Sequence, residues 1–390
     1  MRTELDSCDD APCERFDVAL LDLDGVVYIG ADAVPGAPQA LQTARSRGMR
    51  LAFVTNNAAR PPAVVAEHLR ALGVPADAAE VITSSQAAAH YLAERLPRGA
   101  RVLVVGTTGL VEALLERDLC PVRSADDAPV AVVQGFSPKL DWKQLAEGAV
   151  AISRGLLWVA TNADRTVPSP RGPVPGNGSM VAALRHATGA EPVVTGKPDP
   201  TMHRETVERA GARRPIVVGD RLDTDIEGAN AVGCASLLVL SGVTTPAALL
   251  AAAPRARPGL LGRDVGALLA RHPETVASQH GLSCGEWQVS GPPGSPGPLR
   301  LSHRRAPAAA GPSHHPVPRP GGAPSTGLDD GLDALRVLCA ASWQRSTRGG
   351  QPAERAGSSA AARHDDAVDD VRCVAEDSAA EAQLRELKLL

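Results

Sequence analysis

Phe16-Asp17-Val18-Ala19-Leu20-Leu21-Asp22-Leu23-Asp24-Gly25-Val26-Val27 decides the reading of this chain. An apolar run stops at two carboxylates one residue apart, and a glycine follows. A run without polar interruption reads as a strand buried on both faces, the kind that parallel sheets use. In open α/β folds ligands bind beyond the carboxyl ends of such strands, so Asp22 and Asp24 stand where chemistry is done. Two anions this close repel unless a cation lies between them, and the pair therefore asks for a metal. A calcium loop is a poor alternative, because its spacing needs a third Asp or Asn before the glycine and a later Glu.

Three further apolar runs end in polar stops. Leu51-Ala52-Phe53-Val54 runs into Thr55-Asn56-Asn57. Helix capping would use the same residue types, but the Thr55 hydroxyl and neighbouring backbone N–H groups also suit a phosphate at a helix start. Val193-Val194-Thr195-Gly196 leads to Lys197, held between a glycine and a proline, with Asp199 as N-cap and Pro200 in the first helical turn. Pro215-Ile216-Val217-Val218-Gly219 leads to Asp220, and Asp223 and Asp225 follow. Capping explains one of these aspartates but not Asp220, which ends its strand as Asp22 does. Carboxylates at strand ends, one lysine and one hydroxyl make a magnesium and phosphate site in charge terms.

Together these segments resemble the haloacid dehalogenase superfamily of phosphohydrolases. The matching pieces are Asp22-Leu23-Asp24-Gly25-Val26, Thr55-Asn56-Asn57, Lys197-Pro198 and Gly219-Asp220-Arg221-Leu222-Asp223-Thr224-Asp225, in the family's order over residues 14 to 270. Thr161-Asn162-Ala163-Asp164, Pro168, Gly172 and Pro175-Gly176-Asn177-Gly178 look like the cap of one branch, that of the p-nitrophenyl phosphatase-like, phosphoglycolate and glycerol-3-phosphate phosphatases. The resemblance implies a Rossmann-like doubly wound parallel core with a large inserted α/β cap. It implies Asp22 as nucleophile, Asp24 as general acid and base, and Thr55 and Lys197 as binders of the transferred phosphoryl group. Asp22, the backbone carbonyl of Asp24, and Asp220 would ligate Mg²⁺, with Asp225 in support. Asn56, Asn57, Gly176, Asn177 and Gly178 are the expected substrate contacts.

The residue types suit that chemistry. A carboxylate nucleophile splits one hard displacement into two through an acyl phosphate. Its approach to a phosphate dianion needs neutralisation, and Mg²⁺ plus Lys197 supply about three positive charges against roughly two on the phosphate and those of the carboxylates. Asp24 would protonate the leaving alkoxide and later deprotonate water. An ordinary aspartate, with a pKa of about 3.9, is ionised at neutral pH, and the sign of the shift at Asp24 is not legible in sequence.

The whole chain sets outer bounds. At 390 residues it has room for two or three domains. A net charge of −4 argues against a general nucleic-acid binder. Seven scattered cysteines without close Cys/His clustering suggest neither zinc nor a disulfide framework. An acidic start without the apolar core of a signal peptide, and apolar runs too short for a membrane span, lead to the expectation of a cytoplasmic protein. Neither Gly-x-Gly-x-x-Gly nor a Walker sequence is present. Aromatics make up 2% of residues, with Trp142 and Trp158 falling in the cap.

Domain organisation follows the stops. A helix over Pro62 to Leu72 ends at Gly73, and a second βα series starts near Arg101 with runs at 102–105, 130–133 and 156–160. Residues 14–83 and 193–270 are expected to form the core, 84–192 the cap, and 271–390 a C-terminal extension. Within the extension, 290–327 reads as Pro/Gly-rich linker, Leu332, Leu335, Leu338 and Trp343 as one amphipathic helix, 345–380 as largely disordered, and 379–390 as a final charged helix. His314-His315 reads as a solvated loop.

The leading function is a Mg²⁺-dependent phosphomonoesterase for a small phosphorylated metabolite such as glycerol 3-phosphate or phosphoglycolate. The alternatives are a nucleotide or phosphoprotein phosphatase, or a non-catalytic phosphate sensor acting through the extension. A homodimer joined through the cap is one assembly the chain allows; no nucleic-acid or membrane partner is expected.

Overall fold

The computed structural model describes residues 2–167, 171–291, 297–304, 330–348 and 371–390. Pro168, His314, His315 and most of the expected linker therefore lie outside the described residues.

Six parallel strands make the core sheet, in the order Leu260–Gly262, Ala235–Val239, Pro215–Gly219, Val18–Leu21, Arg50–Thr55, Val81–Thr83. Side chains alternate across a pleated strand, and both sides are filled. Ala19, Leu21, Phe53, Ile216 and Val218 enter one apolar layer, while Val18, Leu20, Ala52, Val54 and Val217 enter the other. Burial on both faces explains the unbroken apolar runs. The chain leaves the central strand toward both edges, so the crevice opens at the ends of Val18–Leu21 and Pro215–Gly219.

A second parallel sheet has the order Val193–Val194, Leu157–Ala160, Ala131–Gln134, Arg101–Val105, Cys120–Val122. Helices Ser84–Ala93 and Thr108–Leu115 share one apolar layer with it. Trp142–Ser153 and Asn177–Thr188 share the other. The expected boundary at 193 needs correction, because Val193 and Val194 pair with Val159 and Ala160 of the inserted sheet and not with the core. A two-residue strand carries too little pattern to say which sheet it joins.

The C-terminal extension also departs from expectation. Val276–Ser278, Gly281–Cys284, Trp287–Ser290 and Leu299–His303 form antiparallel pairs, and Cys373–Ala375 adds a parallel edge. Ser290 and Leu299–His303 are thus in sheet where the sequence suggested linker, and the hairpin strands before them lie in a stretch given no element from sequence. Strands of three to five residues between glycines are too short to stand out from loop composition. The expected amphipathic helix spans Asp333–Arg348, and the final helix spans Ser378–Glu386. Leu282, Leu301, Leu335, Leu338 and Trp343 share one apolar cluster with Ile226, Leu238, Leu249 and Leu261 of the core. Arg336, buried, is fixed by Asp330 and Asp333 and donates to Leu261 O at 2.9 Å, which ties this helix to the edge of the core sheet.

Candidate active site

Asp22 follows the central strand directly, and its N–H donates to Val218 O of the neighbouring strand. The pairing carries the chain across the crevice floor, so Asp22 and Asp220 face each other from adjacent strand ends. Oxygens of Asp22, Asp220 and Asp225 all lie within 4.8 Å of one another. Lys197 reaches into this group and is almost fully buried, its Nζ 2.5 Å from Asp22 Oδ1 and 2.6 Å from Asp225 Oδ1. Three of the polar stops thus meet at one point, and the Val54 carbonyl, 3.4 Å from Lys197 Nζ, brings the end of the fourth strand beside them.

Asp225 is fully engaged, since its second oxygen accepts the Arg221 N–H at 3.2 Å. Asp220 is not. Its Oδ2 accepts the Val243 N–H at 2.6 Å, while Oδ1 is buried without a hydrogen-bond partner among the described residues. A buried acceptor left open in a ring of carboxylates has the chemistry of a divalent-cation ligand. Glycines let the backbone close around it: a Cβ on Gly242 would stand 2.0 Å from Asp220 Oδ2, and one on Gly25, at φ +83°, would stand 2.5 Å away.

Charge states follow from burial and neighbours. Burial lifts the Asp22 pKa well above the carboxylate range, against the opposing field of Lys197. Burial and then Asp225 push Asp220 up to about 6. Burial alone would lower Lys197, but Asp22 and Asp225 overcome it and hold the ammonium charged. Asp24 lies exposed at the mouth of the crevice. Desolvation by its surroundings raises its pKa, against Lys197, Arg60 and His68. That is the direction a general acid requires.

Thr55 is buried and its Oγ1 accepts the Asn57 N–H at 3.1 Å, which leaves its own O–H to donate. Asn57 is exposed, and its Oδ1 accepts Ala59 N–H within its own loop. Asn56 faces Lys197 instead: its Oδ1 accepts the Lys197 N–H at 2.9 Å and its Nδ2 donates to Lys197 O at 3.2 Å.

The cap docks on the same residue. Asn162 Nδ2 donates to Asn56 O at 2.7 Å, and Asn56 Nδ2 lies 3.4 Å from Asp164. Asn177 Nδ2 in turn donates to Asn162 O at 2.7 Å. Gly176 and Gly178 press against this loop, and a Cβ on Gly178 would stand 2.2 Å from Ala163 O. A cavity of about 290 Å³ beside them is lined by Phe136, Leu140, Pro175, Gly176, Asn177 and Met180, among others. Asp164 ends the stretch Thr161-Asn162-Ala163-Asp164, in which nothing encodes its contact with Asn56. The only sequence signal is a polar stop after the strand Leu157–Ala160.

Residues 19–120 match the model of the haloacid dehalogenase-like hydrolases, and residues 194–268 match a second model of haloacid dehalogenase hydrolase-like proteins. The chain is 51% identical over 255 residues to D-glycerol 3-phosphate phosphatase of Mycobacterium tuberculosis, covering 65% of this chain and 71% of that protein. The chain belongs to the haloacid dehalogenase-like hydrolase family. A crystal structure of glycerol phosphate phosphatase from the same organism, in complex with calcium, superposes with a TM-score of 0.80 at 39% identity over 98% of this chain and 99% of that one. The same protein in complex with magnesium gives a TM-score of 0.78. Within the haloacid dehalogenase-like hydrolases, p-nitrophenyl phosphatase from Archaeoglobus fulgidus is similar at 30% identity and a TM-score of 0.61, over 65% of this chain and 98% of that one.

Proposed function

We propose that this protein is a Mg²⁺-dependent phosphomonoesterase for a small phosphorylated metabolite, with glycerol 3-phosphate as the leading candidate. The observation that carries the chemistry is the buried lysine held between Asp22 and Asp225, beside the open oxygen of Asp220. The substrate rests on likeness to D-glycerol 3-phosphate phosphatase, with phosphoglycolate as the near alternative. We read 14–83 with 195–270 as the catalytic core and 84–194 as the cap.

Asp22, the carbonyl of Asp24, and Asp220 would hold Mg²⁺, which supplies positive charge against the phosphate oxygens. Asp22 attacks phosphorus, the bond to the alcohol oxygen breaks, and Asp24 gives that oxygen a proton. A water deprotonated by Asp24 then attacks the aspartyl phosphate at phosphorus, releasing phosphate and restoring the Asp22 carboxylate. Lys197 stands beside the Asp22 oxygen and offsets charge on the phosphoryl oxygens. Thr55 donates its hydroxyl to the same group. Gly176, Asn177 and the neighbouring cap cavity contact the leaving group, and the cap limits water during transfer. Seven free cysteines support a reducing, cytoplasmic setting.

A phosphate-release screen with Mg²⁺ over glycerol 3-phosphate, phosphoglycolate, sugar phosphates, nucleotides and a phosphopeptide tests the reading. The highest kcat/KM is expected on glycerol 3-phosphate, with activity lost to EDTA and restored by Mg²⁺. Preference for nucleotides or phosphopeptides would overturn the substrate class, and full activity without metal would overturn the site.

A further inference from the structure

We propose that Trp343 and Ser342 of the C-terminal helix are positioning residues for the metal ligand Asp220, acting through the segment 240–252. The inference rests on the reading of Asp220 as a Mg²⁺ ligand. Asp220 is held by that segment at two points: Val243 N–H donates to Oδ2 at 2.6 Å, and Thr244 N–H donates to its carbonyl at 3.2 Å. Gly242 lies so close that no side chain fits between it and the carboxylate. Ser241 Oγ donates to Gly25 O at 2.6 Å, which joins the same segment to the loop after Asp24. The direction in which Asp220 Oδ1 points therefore depends on where 241–244 sit.

Beyond these bonds to the core, 241–244 are braced from the C-terminal extension. They lead into the helix Pro246–Leu250, capped by Thr245, whose Oγ1 accepts Ala248 N–H. Five residues make a helix with little stability of its own, and its last carbonyls have no partners within it. Leu249 O accepts the Ala252 N–H at 3.1 Å from the chain that follows, and the C-terminal helix adds two donors: Trp343 Nε1–H donates to Leu249 O at 3.1 Å, and Ser342 Oγ donates to Leu250 O at 2.8 Å. Arg257, buried, donates to Ala252 O at 3.1 Å and lies 5.2 Å from the Trp343 ring. Leu249, Leu250 and Trp343 are buried in one cluster. The bonded carbonyl of Leu249 is six positions along the chain from the Val243 N–H that holds Asp220, so a displaced C-terminal helix moves a metal ligand.

Mg²⁺ titration calorimetry on the full chain tests this without substrate. Trp343→Phe keeps a smaller aromatic ring in the cluster and deletes the N–H; Ser342→Ala deletes the other donor. Their combination is expected to weaken Mg²⁺ binding about 10-fold, the scale seen when partners behind a metal ligand are removed. Leu301→Ala loosens the module from its own sheet and is expected to bind Mg²⁺ as wild type does. Wild-type affinity in the double variant, or an equal loss in Leu301→Ala, overturns the proposal. Asp220→Asn separates the two readings: binding must fail there, and if it persists the metal assignment itself is wrong.

Discussion

Lys197 Nζ lies 2.5 Å from Asp22 Oδ1, and the two residues are 175 positions apart in the chain. The pair is buried, and Asp225 closes it from the other side at 2.6 Å. One ammonium among three carboxylates leaves a net negative site, which suits a divalent cation and a phosphate together.

Lys197→Gln should lose activity and also destabilise the metal-free protein. Removing one partner strands Asp22 and Asp225 without a counter-charge, a loss on the order of 3–5 kcal/mol. Mg²⁺ should recover part of it. Thermal melting with and without Mg²⁺ checks this; equal melting temperatures for variant and wild type without metal would show that the lysine does not offset the carboxylates.

Asp22→Asn should reduce turnover by at least about 10³-fold while the fold persists, because the amide cannot attack phosphorus but fills the same space. Phosphate release and circular dichroism on the purified variant are the measurements. Wild-type turnover would remove Asp22 from the nucleophile's role.

Asn56→Ala should lower kcat more than it raises KM. Its side-chain amide joins the Lys197 backbone, and its Nδ2 lies 3.4 Å from the cap's Asp164, so its loss disturbs both charge placement and cap seating. Asn162→Ala, which removes the cap's bond to the Asn56 backbone carbonyl but leaves the Asn56 side chain on Lys197, should raise KM with a smaller effect on kcat. The reverse pattern in the two variants would separate Asn56 from Lys197.

His203 supplies a pH dependence of stability. It is buried, neither ring nitrogen has a partner among the described residues, and burial followed by the Lys197 field pulls its pKa down to about 4. The unfolded chain, with a pKa of about 6.5, binds the proton more readily. This residue's contribution is therefore present above pH 6.5 and declines as pH falls toward 4, by an amount on the order of 3 kcal/mol. His203→Leu should flatten that decline in denaturant titrations between pH 4 and 7. An unchanged pH slope would mean that His203 is already charged in the folded protein.

The candidate constellation is readable because Asp22, Thr55 and Asp220 end apolar strands of one parallel sheet, whose strand ends converge on one crevice, while Lys197 is marked by its setting between a glycine and a proline after a strand of the inserted sheet. Asp22, Thr55, Lys197 and Asp220 carry that signal in their own neighbourhoods. Asp164 does not announce its partner: Asn56 is 108 residues away, and nothing in either segment encodes the meeting. The cap boundary was misplaced by two residues because Val193 and Val194 could serve either sheet. The C-terminal sheet was missed for a different reason. Its strands are short and glycine-bounded, and their burial comes from the core's Leu238, Leu249 and Leu261, which are distant in sequence.

The central claim is that Asp22 becomes covalently phosphorylated. Rapid acid quench of the enzyme with ³²P-labelled glycerol 3-phosphate and Mg²⁺, followed by borohydride reduction and peptide mass spectrometry, tests it directly. The account predicts label retained on the protein and homoserine at position 22. Reduction at any other aspartate, or hydrolysis with no trapped phosphoenzyme under conditions that trap a related aspartyl phosphatase, would contradict it.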